Sequence, residues 1–205
     1  MFTNTLSSAT QKLLSKLRPM NLPPGSYLAG GTAIALQLGH RQSNDLDFFA
    51  PTKFSEISWE EKLTEELGLV VTQQDWQTLA GTIGDVKFSL FYFPHDLIEK
   101  PIPFQSLNLA SLPDLAAIKL NTIISRGAKR DLIDIYFLAQ KYSLPKLFTF
   151  YDKKFHNFAE REIMIKKALV YFDEANRDED PKMISKVSWD TIKKGLVKLV
   201  AEDQL

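Results

Sequence analysis

The spacing of apolar residues divides the chain into a first part with mixed helix and strand patterns and a second part that is helical throughout. Apolar positions within residues 4–17 predict a first helix, which the proline-rich stretch after it ends. The segments that follow are predicted to be a short strand, a tight turn, a helix closed by a glycine and a second strand, at residues 27–29, 30–31, 32–38 and 45–49.

Beyond the second strand, the pattern predicts one further helix and a group of strands. Ser58 and Glu61 form a capping-box pattern that opens a helix, and Gly68 ends it. Runs rich in β-branched and aromatic residues predict strands at residues 69–72, 77–83 and 86–93. Gly84-Asp85 supplies a hairpin turn between the last two of these strands.

From Ser111 onward the apolar residues recur at helical spacing. Ser111 caps a helix that reaches Ser125, and further helices are predicted at residues 129–141, after Pro145, at 158–172 and at 189–201. The acidic stretch 174–181 is the best candidate for a mobile loop. The chain is therefore predicted to be α+β, with an N-terminal lobe at 1–105 that holds a small mixed sheet with flanking helices, and a C-terminal helical lobe at 106–205.

The composition excludes several classes of protein and site but does not indicate a function. The chain has 205 residues, of which 44% are hydrophobic and 24% charged, as in an ordinary folded globular protein. It has no cysteine, which excludes a disulfide framework, a thiolate zinc site and a cysteine nucleophile. No apolar run approaches the roughly 20 residues of a membrane span, so we expect a cytoplasmic protein without membrane contact. The net charge of zero gives no overall basic footprint for nucleic acid.

The candidate chemistry begins with Asp45 and Asp47, which are two residues apart on the second predicted strand. Side chains two apart on a strand share a face, so both carboxylates are expected to point at the same cation. Magnesium prefers a few carboxylates together with the phosphate oxygens of a substrate and retained waters. We therefore predict that Asp45 and Asp47 hold Mg²⁺ (or Mn²⁺) beside a nucleoside triphosphate (NTP).

Gly30, Gly31 and Thr32 are the candidate phosphate cradle. The two glycines carry no side chain that would block a close approach, and the helix after them presents free backbone N–H groups and its positive dipole end. Each pattern alone is common, because a Gly-Gly turn is more often a plain turn and an Asp-x-Asp pair more often a solvated face. Together, with Gly30 ahead of Asp45 and a helix between them, they are more specific.

This combination resembles the polymerase-β-like nucleotidyltransferases, and within them the AbiEii/AbiGii toxin group. The segments that carry the resemblance are the turn at 30–33, the run of Arg41, Ser43, Asp45 and Asp47, and the later segments 117–120, 125–127 and 129–138. The resemblance implies a polymerase-β-like nucleotidyltransferase lobe followed by a helical lobe that carries the later motifs.

The resemblance also implies site residues in the second lobe. Lys119 would contact nucleotide phosphates, Arg41 and Ser43 would belong to the nucleotide site, and Asp131 or Asp134 would complete the catalytic centre. We accordingly expect Lys119→Ala to weaken triphosphate binding more than it changes thermal stability. The residues alone leave an alternative, in which Asp131 and Asp134 belong to a surface cluster of ion pairs with neighbouring basic side chains.

One departure from the superfamily pattern concerns the third metal carboxylate, which many members place on a later strand. The corresponding strand at 86–93 offers only Lys87 and Ser89 on its polar face. Three interpretations stay open: Asp131 or Asp134 replaces the missing ligand, the site holds one metal weakly, or catalysis has been lost.

The sequence thus predicts a Mg²⁺-dependent nucleotidyltransferase that uses an NTP. The resemblance implies a toxin, with RNA such as the tRNA acceptor end as acceptor and a cognate antitoxin as partner. The alternatives are a catalytically degenerate module that binds a nucleotide or a partner, and transfer to a protein or small-molecule hydroxyl.

Two further features are interpreted as structural. His40 is taken as a histidine of a surface loop. The aromatic run Phe88, Phe91, Tyr92 and Phe93 is expected to lie in the core rather than to form a base-stacking platform.

Overall fold

A computed structural model of the protein describes residues 1–203 and shows one mixed sheet packed against helices. Within these residues the helices α1 to α8 are Ser8–Leu17, Gly30–Leu38, Glu56–Leu67, Leu112–Ser125, Lys129–Ala139, Leu144–Phe155, Phe158–Val170 and Trp189–Glu202. The strands β1 to β7 are Tyr27–Leu28, Leu46–Ala50, Leu69–Asp75, Thr78–Ile83, Val86–Tyr92, Ile102–Phe104 and Leu107–Leu109. None of the helices in the described residues is long and apolar enough to cross a membrane.

The strands form one sheet in the order β3-β4-β5-β2-β1-β7-β6. Strand β2 is parallel to β5 and antiparallel to β1, and β1 is parallel to β7. Strand β2 therefore lies inside the sheet, where Leu46, Phe48 and Ala50 are buried while the alternate positions Asp47 and Phe49 are only partly covered. This alternation turns the polar position of β2 away from the core.

The helices of the two predicted lobes share one apolar core. Helix α2 packs against both α4 and α5, and α4 packs against α6 and α7. The buried side chains form a continuous cluster that runs from Leu6 near the N-terminus to Val200 in α8. As a result, the start of α2 is held firmly against the helices of the second half.

Several local predictions are confirmed. Gly39 and Gly68 end α2 and α3 in the left-handed conformation, and Ser111 accepts a hydrogen bond from the Asp114 N–H at the start of α4. The capping box at Ser58, however, is wrong. Helix α3 begins at Glu56, and the Ser55 side chain accepts the capping bond from the Ser58 N–H at 3.3 Å.

The predicted lobe boundary at residue 105 needs correction, because it cuts a hairpin that the sequence analysis did not predict. Strands β6 and β7 pair around Gln105 and Ser106, and β7 continues the sheet beside β1. Gln105 and Ser106 have positive φ angles of 51° and 63°. A turn of this kind usually carries glycine or asparagine, so the hairpin lacked its usual marker. The sheet ends at Leu109 and the helices follow.

The acidic stretch 174–181 is held against α5 rather than standing free. The Lys129 N–H donates to Asp178 Oδ2 at 2.8 Å, and the Lys129 ammonium lies 2.9 Å from Asp180 Oδ1. A short 3₁₀ turn covers Ala175–Arg177. Beyond it, Met183 forms a β-bridge with Arg41, so this segment covers the loop ahead of β2.

Candidate active site

A polar cleft of about 390 Å³ lies between the start of β2, the N-terminus of α2 and the helices α4 and α5. Most of the predicted site residues line it: Gly30, Gly31, Arg41, Ser43, Asp45, Asp47, Lys119 and Asp131. Thr32 and Asp134 are buried behind its wall. The fold thus collects, in one concave site, residues that are far apart in the chain.

Asp45 and Asp47 lie at the N-terminal end of β2. Asp47 alternates with the buried Leu46 and Phe48, and Asp45 precedes the strand by one residue. Burial, and next to it the negative charge of Asp45, raise the pKa of Asp47, while Lys119 and Ser89 act in the opposite direction. The cleft therefore contains a pair of carboxylates whose mutual repulsion is only partly relieved.

Asp45 has one charged neighbour at salt-bridge distance among the described residues. Arg130 Nη1 lies 3.6 Å from Asp45 Oδ2, and the two side chains are 50% and 38% exposed. A pair as open as this contributes little to stability. Asp45 is therefore free to accept a cation.

The carboxylate pair fits a divalent cation. Such an ion would relieve the repulsion that raises the pKa of Asp47, and Mg²⁺ commonly uses one or two carboxylates together with phosphate oxygens. The third position is occupied by Ser89, which is paired in register with Asp47 across the parallel strands β2 and β5. Across residues 1–203 there is no group of three or more acidic, histidine or cysteine side chains placed to hold a metal.

The Gly30-Gly31 pair starts α2 directly, rather than forming a separate turn before it. Its N-cap residue, Ala29, has no side chain that could accept from the first helical N–H groups. These donors therefore stay available at the helix end where anions bind. Gly30 has a φ of +64°, and the Asp47 carboxylate packs where a Cβ would lie, whereas at Gly31 that space is taken by the Arg41 guanidinium.

The Thr32 hydroxyl is turned away from the cleft. It donates to the backbone carbonyl of Asp45, lies 2.9 Å from the Ser43 Oγ, and belongs to a residue that is 1% exposed. The Thr32 side chain therefore has a structural task, while the predicted phosphate cradle concerns the backbone N–H groups at the start of α2. The hydroxyl fixes the first turn of α2 to the residue that precedes β2.

Asp134 is fully buried at the centre of a charged cluster. Arg41 donates to both of its oxygens, His40 Nε2 lies 2.7 Å from Oδ1, and Lys119 Nζ lies 2.9 Å from Oδ2. Burial by itself would raise the pKa of Asp134, but the charges of Arg41 and Lys119 and the hydrogen bonds hold it well below its ordinary value. His40 is 2% exposed, so its interpretation as a surface histidine is wrong.

Asp131 reaches the cleft but is bound by cations. The Lys119 ammonium contacts its Oδ1, and Arg126 Nε donates to its Oδ2 at 2.9 Å. Lys119 thus lies between two buried carboxylates, those of Asp131 and Asp134. Asp131 lines the cleft together with Asp45 and Asp47, whereas Asp134 does not, and both carboxylates are paired with positive side chains. The surface-cluster alternative is wrong, since both carboxylates are fully buried.

Other residues of the cleft were not assigned to the site from the sequence. Arg126 and Arg130 lie at its rim, and Phe49 and Phe91 form part of its wall with ring centroids 6.0 Å apart. Phe88 is buried as predicted, but Phe91 is not a core residue. Alternation along β5 separates the two rings, because positions three apart on a strand lie on opposite faces.

Comparison with known proteins identifies the relatives of this chain. The family model described as "Nucleotidyl transferase AbiEii toxin, Type IV TA system" matches residues 12–95 and 80–204. An uncharacterised protein of Aquifex aeolicus (strain VF5) is 32% identical over 179 residues, which cover 84% of this chain and 86% of that protein.

Two solved structures share the fold at low sequence identity. JHP933 from Helicobacter pylori superposes with a TM-score of 0.59 at 16% identity, over 96% of this chain and 92% of that one. MenT4, the nucleotidyltransferase toxin Rv2826c from Mycobacterium tuberculosis H37Rv, gives a TM-score of 0.53 at 17% identity, over 96% of this chain and 84% of that one.

Proposed function

Because the chain belongs to the AbiEii nucleotidyl transferase toxin family, we propose that it transfers a nucleotidyl group from an NTP to RNA with the help of Mg²⁺ (or Mn²⁺). The family makes the protein a nucleotidyltransferase of a toxin type. The triphosphate donor, the metal ion and the RNA acceptor are the parts that we propose.

One observation carries the proposal: the Asp45 and Asp47 carboxylates line the same cleft as the uncapped N-terminus of α2. Cation ligands and anion donors side by side are what a metal-bound polyphosphate requires. Arg126 and Arg130 at the rim add positive charge that is accessible from outside. The cleft therefore has carboxylates for the cation and N–H groups and arginines for the phosphates of such a substrate.

The reaction would join the acceptor hydroxyl oxygen to the α-phosphorus while the bond to pyrophosphate breaks, and the hydroxyl proton would pass to solvent. Asp45 and Asp47 would hold the cation, and the amides at Gly30 and Gly31 would orient the phosphates. A divalent cation supplies charge neutralisation to the phosphate oxygens during transfer. Arg126 and Arg130 would offset the negative charge of the phosphate oxygens that the cation leaves uncompensated.

Lys119, Arg41, Asp131 and Asp134 are proposed mainly as positioning residues. Lys119 shares its ammonium between Asp131 and Asp134, so its charge is largely balanced before any substrate arrives. The cluster fixes α4 against α5 and sets the wall opposite Asp47. Lys119 and Arg41 still line the cleft and can present an N–H to a phosphate from this fixed position.

A degenerate module that binds nucleotide without turnover is the second candidate. The observation that favours it is Ser89, a neutral side chain at the strand position beside Asp47 where a third carboxylate would stand. The Type IV toxin-antitoxin description of the family supports a cognate antitoxin in either case.

Labelled triphosphates test the proposal directly. The full-length protein is incubated with cell extract and Mg²⁺ and with each NTP in turn, radiolabelled at the α-phosphate. Label that nuclease removes and protease does not is the expected result. Label that only protease removes, or that stays in small molecules, would move the acceptor to a protein or small-molecule hydroxyl. Metal-dependent nucleotide binding without pyrophosphate release would establish the degenerate module. Asp45→Asn is the inactive control.

A further inference from the structure

A second groove adjoins the active-site cleft on the other side of the C-terminal end of α4. Its volume is about 560 Å³, and it shares Ser125 and Arg126 with the cleft as common wall. The opposite wall comes from the last turns of α7, with Met164 and Lys167, and from Tyr171 directly after that helix. Its size is within the roughly 300–1,000 Å³ of sites that bind small molecules or single residues of a polymer.

The groove combines exposed apolar and aromatic surface with positive charge. Tyr171 is 53% exposed and Met164 is 41% exposed, although both are large hydrophobic side chains. Lys167 and the half-exposed Arg126 supply the positive charge. The one acidic side chain of the groove, Glu174, has its Oε2 3.4 Å from the Gly127 N–H and accepts a hydrogen bond from it.

Aromatic rings beside lysine and arginine are the recurring means by which proteins bind unpaired nucleotides. A base stacks on the ring through its face, and the cations balance the backbone phosphates. Proteins reach such a base only when it is unpaired, because pairing and stacking in a duplex hide its face. The chemistry of this groove therefore suits a single-stranded end better than a duplex.

The position of the groove would direct a bound single-stranded nucleic acid towards the active-site cleft. Arg126 borders both cavities, so a chain in the groove passes directly to the cleft that holds Asp45 and Asp47. An acceptor needs this arrangement, because its reactive hydroxyl has to lie in the cleft while the preceding nucleotides are held outside it.

We propose that this groove, which we name the α7 groove, binds the single-stranded end of the acceptor RNA. Tyr171 stacks on an unpaired base, and Lys167 and Arg126 contact the phosphates on either side of it. The inference rests on the proposed RNA acceptor and adds the site that holds it. Phe49 and Phe91 lie on the opposite wall of the cleft and are left for the nucleotide donor.

Binding of a fluorescein-labelled single-stranded RNA oligonucleotide to the full-length protein tests the groove without any turnover. Tyr171→Ala is expected to weaken binding about tenfold, which corresponds to about 1.4 kcal/mol. Tyr171→Phe keeps the ring and should bind like the wild type. The matched control is Trp76→Ala, since Trp76 is 67% exposed at the β3–β4 turn, outside both cavities.

Charge reversal provides an independent variant. Lys167→Glu should weaken RNA binding and reduce its dependence on salt, whereas Lys12→Glu on the exposed face of α1 should do neither. A blunt RNA duplex of the same sequence should compete poorly for the wild type. In turnover assays the Tyr171 variant should raise the KM for RNA and leave kcat at saturating RNA unchanged.

Failure of the groove and failure of the proposed function give different results. Transfer to RNA with an unchanged KM and unchanged binding in both groove variants would overturn the α7 groove, as expected if it receives a protein segment instead. If Tyr171→Ala loses RNA binding while the wild-type protein transfers nucleotides only to protein, the α7 groove binds RNA but RNA is not the acceptor.

Discussion

Arg41 and Asp134 form a buried two-point ion pair, in which Nε donates to Oδ1 at 2.7 Å and Nη2 donates to Oδ2 at 2.8 Å. Arg41 precedes β2 and Asp134 is in the middle of α5, so the pair ties the carboxylate-bearing strand to the second half of the chain. It also places the arginine beneath Gly31, where a Cβ would meet the guanidinium. The shape of the cleft depends on this pair.

Asp134→Ala is expected to lower the free energy of unfolding by about 3–5 kcal/mol, because it leaves Arg41 buried without its counter-charge. Urea unfolding at neutral pH measures the loss. Glu65→Ala, on the exposed surface of α3, serves as control and should stay within about 0.5 kcal/mol of the wild type. A stable but inactive Asp134→Ala would instead make Asp134 a catalytic group.

Lys119→Ala is now expected to change stability more than the sequence suggested. The ammonium is the common partner of two buried carboxylates, and its removal leaves like charges facing each other. We expect a loss of about 3–5 kcal/mol, with any change in nucleotide affinity measured separately by titration. An unaltered melting temperature with a large loss of triphosphate affinity would restore the original expectation.

Asp47→Asn is expected to abolish transfer without loss of stability. Burial and the charge of Asp45 raise the pKa of Asp47, so its ionised form at neutral pH opposes folding. The free energy of unfolding of the variant should therefore equal or exceed that of the wild type. Thermal unfolding with and without Mg²⁺ adds a second readout, because the ion should stabilise only the wild type. Normal turnover in the variant would refute the assignment.

Ser89→Asp should strengthen metal binding by about an order of magnitude, since affinity rises with the number of charged ligands. Ser89 is in register with Asp47, so the new carboxylate would stand beside the existing pair. Without metal the variant should unfold at a lower temperature because three like charges then face one cleft. Calorimetric titration with Mn²⁺ measures the affinity, and an affinity equal to that of the wild type would show that the cation does not bind there.

Lowering the pH should decrease the free energy of unfolding, because Asp134 becomes protonated. Its pKa in the folded protein lies well below the ordinary value for an aspartate, because Arg41, Lys119 and His40 surround the carboxylate. The stability that it contributes is therefore fully present above about pH 4 and is lost as the pH falls from there towards the folded pKa. Urea unfolding of wild type and Asp134→Ala across this range should show the two curves converging as the pH falls. A constant difference would contradict the assignment.

The sequence by itself determined the features that follow local rules. Alternation along β2 placed Asp45 and Asp47 away from the core, and the glycines at 39 and 68 marked helix ends, because strand pleat and left-handed caps depend on a few neighbouring residues. The absence of a carboxylate at Ser89 was also visible in the sequence. Its position beside Asp47 became certain only once β2 and β5 paired in parallel.

Tertiary structure alone decided which charged side chains face the cleft and which form buried ion pairs inside the protein. Asp134 and Arg41 are 93 positions apart in the chain, and no periodicity of either segment reveals that they meet. The same packing buried His40, turned Asp131 towards Lys119 and opened the groove beside Tyr171. Whether an ionisable side chain binds a substrate or a neighbour depends on its burial and on the partners within a few ångströms, and both are fixed only when distant segments pack together.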